Sequence, residues 1–252
     1  MQTLRLPDGI HVRYHELPGD GVPLVFVHGL GCASSCDYPA VARHAALAGR
    51  RIVLLDLPGY GFSDKPPSFG YGVAAHAAVV VALARHLGGD AIDLFGHSMG
   101  GAVAIVAAVA LGARVRQLVL SEPNLDVGGG EFSRVIAAVS EAEYVARGHA
   151  VDVRAAVADD PAWSGSLAVA LPQAVHRDAV SLVAGSAPSW RAQLLGLALP
   201  RTLIFGSRSL PDERHASLSS QGVRAEVVPD AGHSMAVENP AGLARAIARA
   251  LA

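Results

Sequence analysis

The sequence predicts an α/β protein with a mixed, mostly parallel sheet, because short apolar runs alternate with long alanine-rich stretches and the alternation breaks only once. The runs are PLVFV (23–27), RIVLLD (51–56), AIDLFG (91–96), RQLVLS (116–121), RTLIFG (201–206) and AEVVPD (225–230). Each has the length of a buried strand. Residues 72–88, 100–112 and 240–251 are alanine-rich, long and free of internal proline, so they favour helix. Strands joined by such helices run parallel, since each crossover returns the chain to the same end of the sheet. The opening IHVRYHEL (10–17) alternates apolar and polar residues and meets the turn PGDGVP before the next strand, which suggests an antiparallel hairpin at the sheet edge.

The break lies between Ser121 and Arg201. It opens with GGG at 128–130 and shows helical segments at 131–147, 166–184 and 188–197, with Pro161, Pro172 and Pro188 as breaks. This reads as a small helical cap over the carboxyl edge of the sheet, inserted as 124–199 into a core formed by 1–123 and 200–252.

Bulk properties exclude several classes of function. The 252 residues carry a net charge of −2 with no basic run, which leaves no footprint for nucleic acid. Lys65 is the one lysine and lies in a turn-like SDKPP, so Schiff-base chemistry has no good candidate. The longest apolar run, 100–113, falls short of the ~20 residues of a membrane span. MQTLRLPDGI lacks the apolar core of an export signal, and Cys32 and Cys36 are too few and too close for a disulfide framework or a zinc site. A cytoplasmic protein with reduced thiols, no membrane partner, no cofactor and no metal is expected. Nothing in the sequence sets the oligomeric state.

The chemistry concentrates in AIDLFGHSMGG, where a strand runs through Gly96-His97-Ser98-Met99-Gly100 into a helix. A serine at so sharp a turn needs glycine neighbours to avoid collisions, and its hydroxyl projects above the sheet near a helix amino terminus, where negative charge is favoured. Serine is a weak nucleophile and needs a base. His233, in the glycine-containing loop between the last strand and the final helix, lies at the same sheet edge and is the candidate. An oxyanion formed on the substrate needs two donors. The Met99 N–H follows the nucleophile, and the Leu30 N–H is aimed inward by the glycines of His28-Gly29-Leu30-Gly31.

HGLG (28–31), DLPGYGFSDKP (56–66), GHSMGG (96–101) and AGHSM (231–235), in this order, resemble the α/β-hydrolase fold superfamily. The resemblance implies the α/β-hydrolase fold, a mostly parallel eight-stranded sheet flanked by helices, and covers about 1–123 and 200–252. It also implies an acid in the pattern G-x-x-D after a strand, but here RTLIFG is followed by Ser207-Arg208-Ser209. Some members carry the acid at the end of the sixth strand instead. Glu122 occupies that position and a glutamate ending a buried strand needs a partner. Asp212 is the alternative acid, with Asp230 and Asp126 behind it.

Ser98, His233 and Glu122 with the Leu30 and Met99 donors describe hydrolysis of a small, largely apolar carboxylic ester or lactone through an acyl-enzyme. C–C bond hydrolysis, cofactor-free perhydrolysis and a non-catalytic ligand-binding protein are the alternatives. His28, Gly29, Asn124, Trp163 and Trp190 are candidates to line the substrate pocket.

Overall fold

The computed structural model describes residues 1–212 and 217–252; residues 213–216 of the helix that the sequence DERHASLSS (212–220) suggests lie outside these. Eight strands form one sheet in the order β1-β2-β4-β3-β5-β6-β7-β8. They are β1 Gln2–Arg5, β2 His11–Leu17, β3 Asp20–Val27, β4 Arg50–Leu55, β5 Ile92–His97, β6 Val115–Ser121, β7 Arg201–Gly206 and β8 Arg224–Val228. β1 and β2 pair antiparallel, β2 runs antiparallel to β4, and the rest are parallel.

The expected hairpin between β2 and the next strand does not form. β2 pairs with β1 and β4, and β3 lies on the far side of β4. Gly19 makes this possible, because a Cβ there would sit 2.2 Å from the Arg50 backbone, and the chain can cross over the start of β4 only without a side chain. The Asp20 N–H then bonds the Gly49 carbonyl at 2.8 Å and enters β3 beside β4.

Alternation along the inner strands divides the core. Val25 and Val27 of β3 join one apolar cluster, and Leu24 and Phe26 join the other. Helices α1 (Val73–His86) and α2 (Met99–Leu111) cover the first face. α2 is apolar all round because it is buried all round through its first three turns. The last long helix, Pro240–Ala250, covers the second face. Among the described residues no helix is long and apolar enough to cross a membrane.

Between β6 and β7 lie α3 (Glu131–Ala137), α4 (His149–Asp159), α5 (Pro161–Ala168), α6 (Pro172–Ala184) and α7 (Trp190–Gly196); Pro240–Ala250 is then α8. Two of them were not expected. Pro161 and Pro172 open helices rather than interrupt them, since the first helical position needs neither an N–H nor a free φ. The Asp178 carboxylate of α6 fastens this insertion to the sheet domain. It accepts from Tyr60 Oη at 2.5 Å, from His76 Nε2 at 2.9 Å and from the Gly72 N–H, all out of contact with solvent.

Candidate active site

β5 ends at His97, α2 starts at Met99, and Ser98 between them adopts φ 52° and ψ −118°. A non-glycine residue there costs about 1–3 kcal/mol, so the surroundings must impose it. Three backbone bonds do so. The Ser98 N–H donates to the Ser121 carbonyl at 2.9 Å, and the Ser98 carbonyl accepts from Gly101 at 2.9 Å and Asn124 at 3.2 Å. The flanking glycines are sterically required, as a Cβ at Gly96 would meet the Gly100 carbonyl oxygen at 2.4 Å and one at Gly100 the Val27 oxygen at 2.2 Å.

His97 pairs with Ser121 in the β5–β6 register, so Ser98 and Glu122 leave adjacent strands at the same level. Glu122 is also left-handed, with φ 41°. Its N–H bonds the Ile204 carbonyl of β7, and its carboxylate is buried between two elements. The Gly206 N–H donates to Oε1 at 2.9 Å, and His233 Nδ1–H donates to Oε2 at 2.7 Å. Ser209, which stands where G-x-x-D would place an aspartate, also hydrogen-bonds this carboxylate. Burial pushes the Glu122 carboxyl up, but the bonds from His233, Gly206 and Ser209 outweigh it and hold it below the usual range. The group is a carboxylate at neutral pH.

His233 sits in a loop pressed against the end of β7, where a Cβ on Gly206 would meet the Ala231 oxygen at 2.3 Å. Its side chain is 48% exposed while that of Glu122 is 4% exposed, so the imidazole joins a buried anion to an open edge. The His97 ring lies 4.6 Å from it, centroid to centroid. Burial, with His233 alongside, holds the His97 imidazole down to about 3. His97 Nδ1–H faces the Ser121 carbonyl at 3.2 Å. Of the other acids weighed from sequence, Asp126 pairs with Arg191 at 2.7 Å, and the Asp230 carbonyl accepts from Arg208. Nδ1 of His233 is taken by Glu122 rather than by Asp212.

The loop after β3 brings Gly29 against Ser98, since a Cβ there would lie 3.4 Å from Ser98 Cβ. Met99 is the first residue of α2, whose leading N–H groups have no acceptor within the helix. Two expected pocket residues lie elsewhere. His28 is wholly buried, accepts from the Leu57 N–H at 3.1 Å and donates to the Gly29 carbonyl at 2.8 Å, so it has no face left for a substrate. Trp190 is a core side chain, 2% exposed, with the large apolar area that makes a tryptophan fill a core. Asn124 contributes its backbone N–H to the Ser98 turn.

Residues 22–184 match the family model described as alpha/beta hydrolase fold. The chain belongs to that family. Among curated relatives, the 2-hydroxy-6-oxo-2,4-heptadienoate hydrolase of Pseudomonas putida is 35% identical over 121 residues, 46% of this chain and 42% of that protein. The chain thus matches less than half the length of this relative. A thermophilic esterase from Thermogutta terrifontis superposes with a TM-score of 0.83 at 23% identity, covering 100% of this chain and 98% of the other. The N-acyl homoserine lactonase AidH gives 0.79 at 20% identity, covering 99% and 95%. At these identities the structural likeness is one of fold.

Beside His233, this alpha/beta hydrolase has a pocket lined by Cys32, Asp37, His97, Asp160 and Trp163 among others. Cys32 and Cys36 form no disulfide. Sequence reading missed Asp37 and Asp160, whose partners are distant in the chain. Ser166 Oγ donates to Asp37 at 3.1 Å and Ser234 Oγ to Asp160 at 2.6 Å. The signal was Asp160-Pro161, a helix-opening pair, taken from sequence as a break.

Burial raises the Asp37 carboxyl to about 6, with the Asp160 charge adding to this and the Cys32 and Ser166 bonds opposing it. An acid with a raised pKa holds its proton longer in the folded chain than in the unfolded one. Its contribution to stability therefore falls as pH rises through about 4 to 6. Asp37→Asn is expected to raise stability by about 1–2 kcal/mol at pH 8, with the gain shrinking toward pH 4. Chemical denaturation at both pH values checks this; an equal gain at pH 4 refutes it.

Proposed function

We propose that this alpha/beta hydrolase cleaves a small, largely apolar carboxylic ester or lactone through an acyl-enzyme on Ser98. The observation that carries the reading is the 2.7 Å hydrogen bond from His233 Nδ1–H to Glu122. It leaves the lone pair on His233 Nε2, the nitrogen that must take the serine proton. Ser98 Oγ attacks the substrate carbonyl as Nε2 takes that proton, and the buried carboxylate steadies the resulting imidazolium. The Leu30 and Met99 N–H groups receive the oxyanion, each worth about 3 kcal/mol in the transition state. His233 returns the proton to the leaving alcohol, and water repeats the sequence to release the acid.

Hydrolysis of an oxo-dienoate, named by the Pseudomonas putida relative, is the second reading. The charges beside His233 weigh against it. Asp37 and Asp160 face that pocket, and no Lys or Arg lines it among the described residues. Ser98 does not itself line that pocket, but a carboxylate-bearing substrate drawn to His233 would feel repulsion from these neighbouring charges, whereas a neutral ester or lactone would not. The test pairs fluorophosphonate labelling, located by mass spectrometry, with a panel of short nitrophenyl esters, lactones and a 2-hydroxy-6-oxo-dienoate. Label on Ser98 with the neutral substrates favoured at least tenfold is expected. Label elsewhere, or preference for the dienoate, overturns the reading.

A further inference from the structure

We propose that α5, with Asp160 at its N-cap, clamps together the two loops that carry the chemistry, and that Trp163 and Asp160 are positioning residues for the reaction. The proposal rests on the hydrolase reading above but assigns a role to the insertion that the reading does not need. Trp163, which lines the pocket beside His233, enters it as an anchor of the oxyanion loop.

Hydrogen bonds from this one short helix and its cap reach both sides of the site. Trp163 Nε1–H donates to the Leu30 carbonyl at 3.0 Å. Ser166 Oγ–H donates to Asp37, which ends the helical turn Ser34–Asp37 just after the oxyanion loop. On the other side Asp160 Oδ2 accepts from Ser234, the residue next to His233. Asp160 Oδ1 accepts the Trp163 N–H at 3.0 Å, so the same carboxylate caps the helix and grips the histidine loop.

Gly31 is the counterpart on the sheet domain. It has φ 71°, and a Cβ there would lie 2.8 Å from Trp163 Nε1 and 2.9 Å from Leu167 Cδ1. The indole therefore has its seat only because residue 31 has no side chain. From the outer side the Phe132 ring packs on the indole at 4.8 Å.

This arrangement addresses a specific weakness. Leu30 sits between two glycines, the residues with the most backbone freedom to lose, yet its N–H must meet the oxyanion within about 0.5 Å. His28 fixes the Gly29 carbonyl from beneath, and Trp163 fixes the Leu30 carbonyl from above. Releasing the upper tie lets the donor drift, and drift of ~1 Å costs up to about a hundredfold in rate.

Trp163→Phe keeps an aromatic ring for Phe132 to pack on but removes the Nε1–H together with part of the indole, so Ser234→Ala, which leaves the indole in place, serves as the second variant. With a short nitrophenyl ester, kcat and kcat/KM are expected to fall together by about tenfold with KM unchanged, because the lost interaction acts in the transition state. Affinity for a boronic acid, which forms a tetrahedral adduct on Ser98, should weaken by the same factor. Ser234→Ala should lower kcat in the same manner, and the double variant should lose less than the product of the two single losses. Full kcat and boronate affinity in Trp163→Phe overturn the clamp, as does an effect on KM alone or a kcat loss that leaves boronate affinity intact. Wild-type turnover that disappears in Ser98→Ala, measured in the same assay, establishes the underlying hydrolase reading separately.

Discussion

Replacing Ser98 by alanine is expected to lower kcat on a short ester by roughly 10⁶-fold, with the fold intact. The size follows from removing the attacking atom, because neither His233 nor the oxyanion donors can form the covalent intermediate alone. The fold survives because the bonds that hold the turn are made by the Ser98 backbone, to Ser121, Gly101 and Asn124, and alanine keeps them all. Alanine also keeps the strain, since φ 52° is unfavourable for any residue with a Cβ. Glycine does not. Ser98→Gly is therefore expected to be more stable than Ser98→Ala by about 1 kcal/mol, or roughly 2–4 °C in Tm for a chain of this size. Equal melting temperatures for the two would mean that the turn is not strained, and residual turnover by Ser98→Ala above about 10⁻³ of wild type would remove Ser98 from the role of nucleophile.

The elements of this site that were readable in the sequence are those set by local rules. GHSMGG spells its turn because Gly96 and Gly100 must lack side chains against backbone oxygens two to three ångströms away. Glu122 stood out because a charged residue closing an apolar strand before proline has to find a partner, and the partner is His233. The parallel strands were legible from period and length, whereas β1, four residues with one buried side chain, carries no such signal. The place of β3 beyond β4 depends on Gly19 passing over Arg50, a contact of packing rather than pattern. The same holds for the insertion. Trp163 and Trp190 look alike in sequence, but one reaches the Leu30 carbonyl 133 residues away and the other is sealed in the core. His28 belongs to a motif in which Gly29 lies against Ser98 and Gly31 against Trp163, while its own ring faces the Leu57 backbone.

Glu122→Gln should reduce kcat by about 10⁴-fold, the loss seen when the acid of a serine protease triad becomes an amide. The reason lies in the two oxygens. Oε1 accepts from the Gly206 N–H and Oε2 from His233 Nδ1–H. A glutamine can satisfy Gly206 with its carbonyl oxygen, and its NH₂ then faces His233. Two donors cannot share that contact, so the imidazole moves its proton to Nε2 and presents an N–H to Ser98 where a lone pair is needed. Glutamine also removes the buried negative charge that would balance the imidazolium. Stability changes in the opposite sense with pH from the Asp37 case. Glu122 has a lowered pKa, so its contribution is present above the ordinary carboxylate range and is lost as pH falls through the folded value. The variant should therefore be less stable than wild type at pH 7, with the difference narrowing in acid. Asp212→Asn is the control and should retain wild-type kcat. If Asp212→Asn instead shows the 10⁴-fold loss while Glu122→Gln keeps its rate, the carboxylate that orients His233 during turnover is not the one bonded to it here.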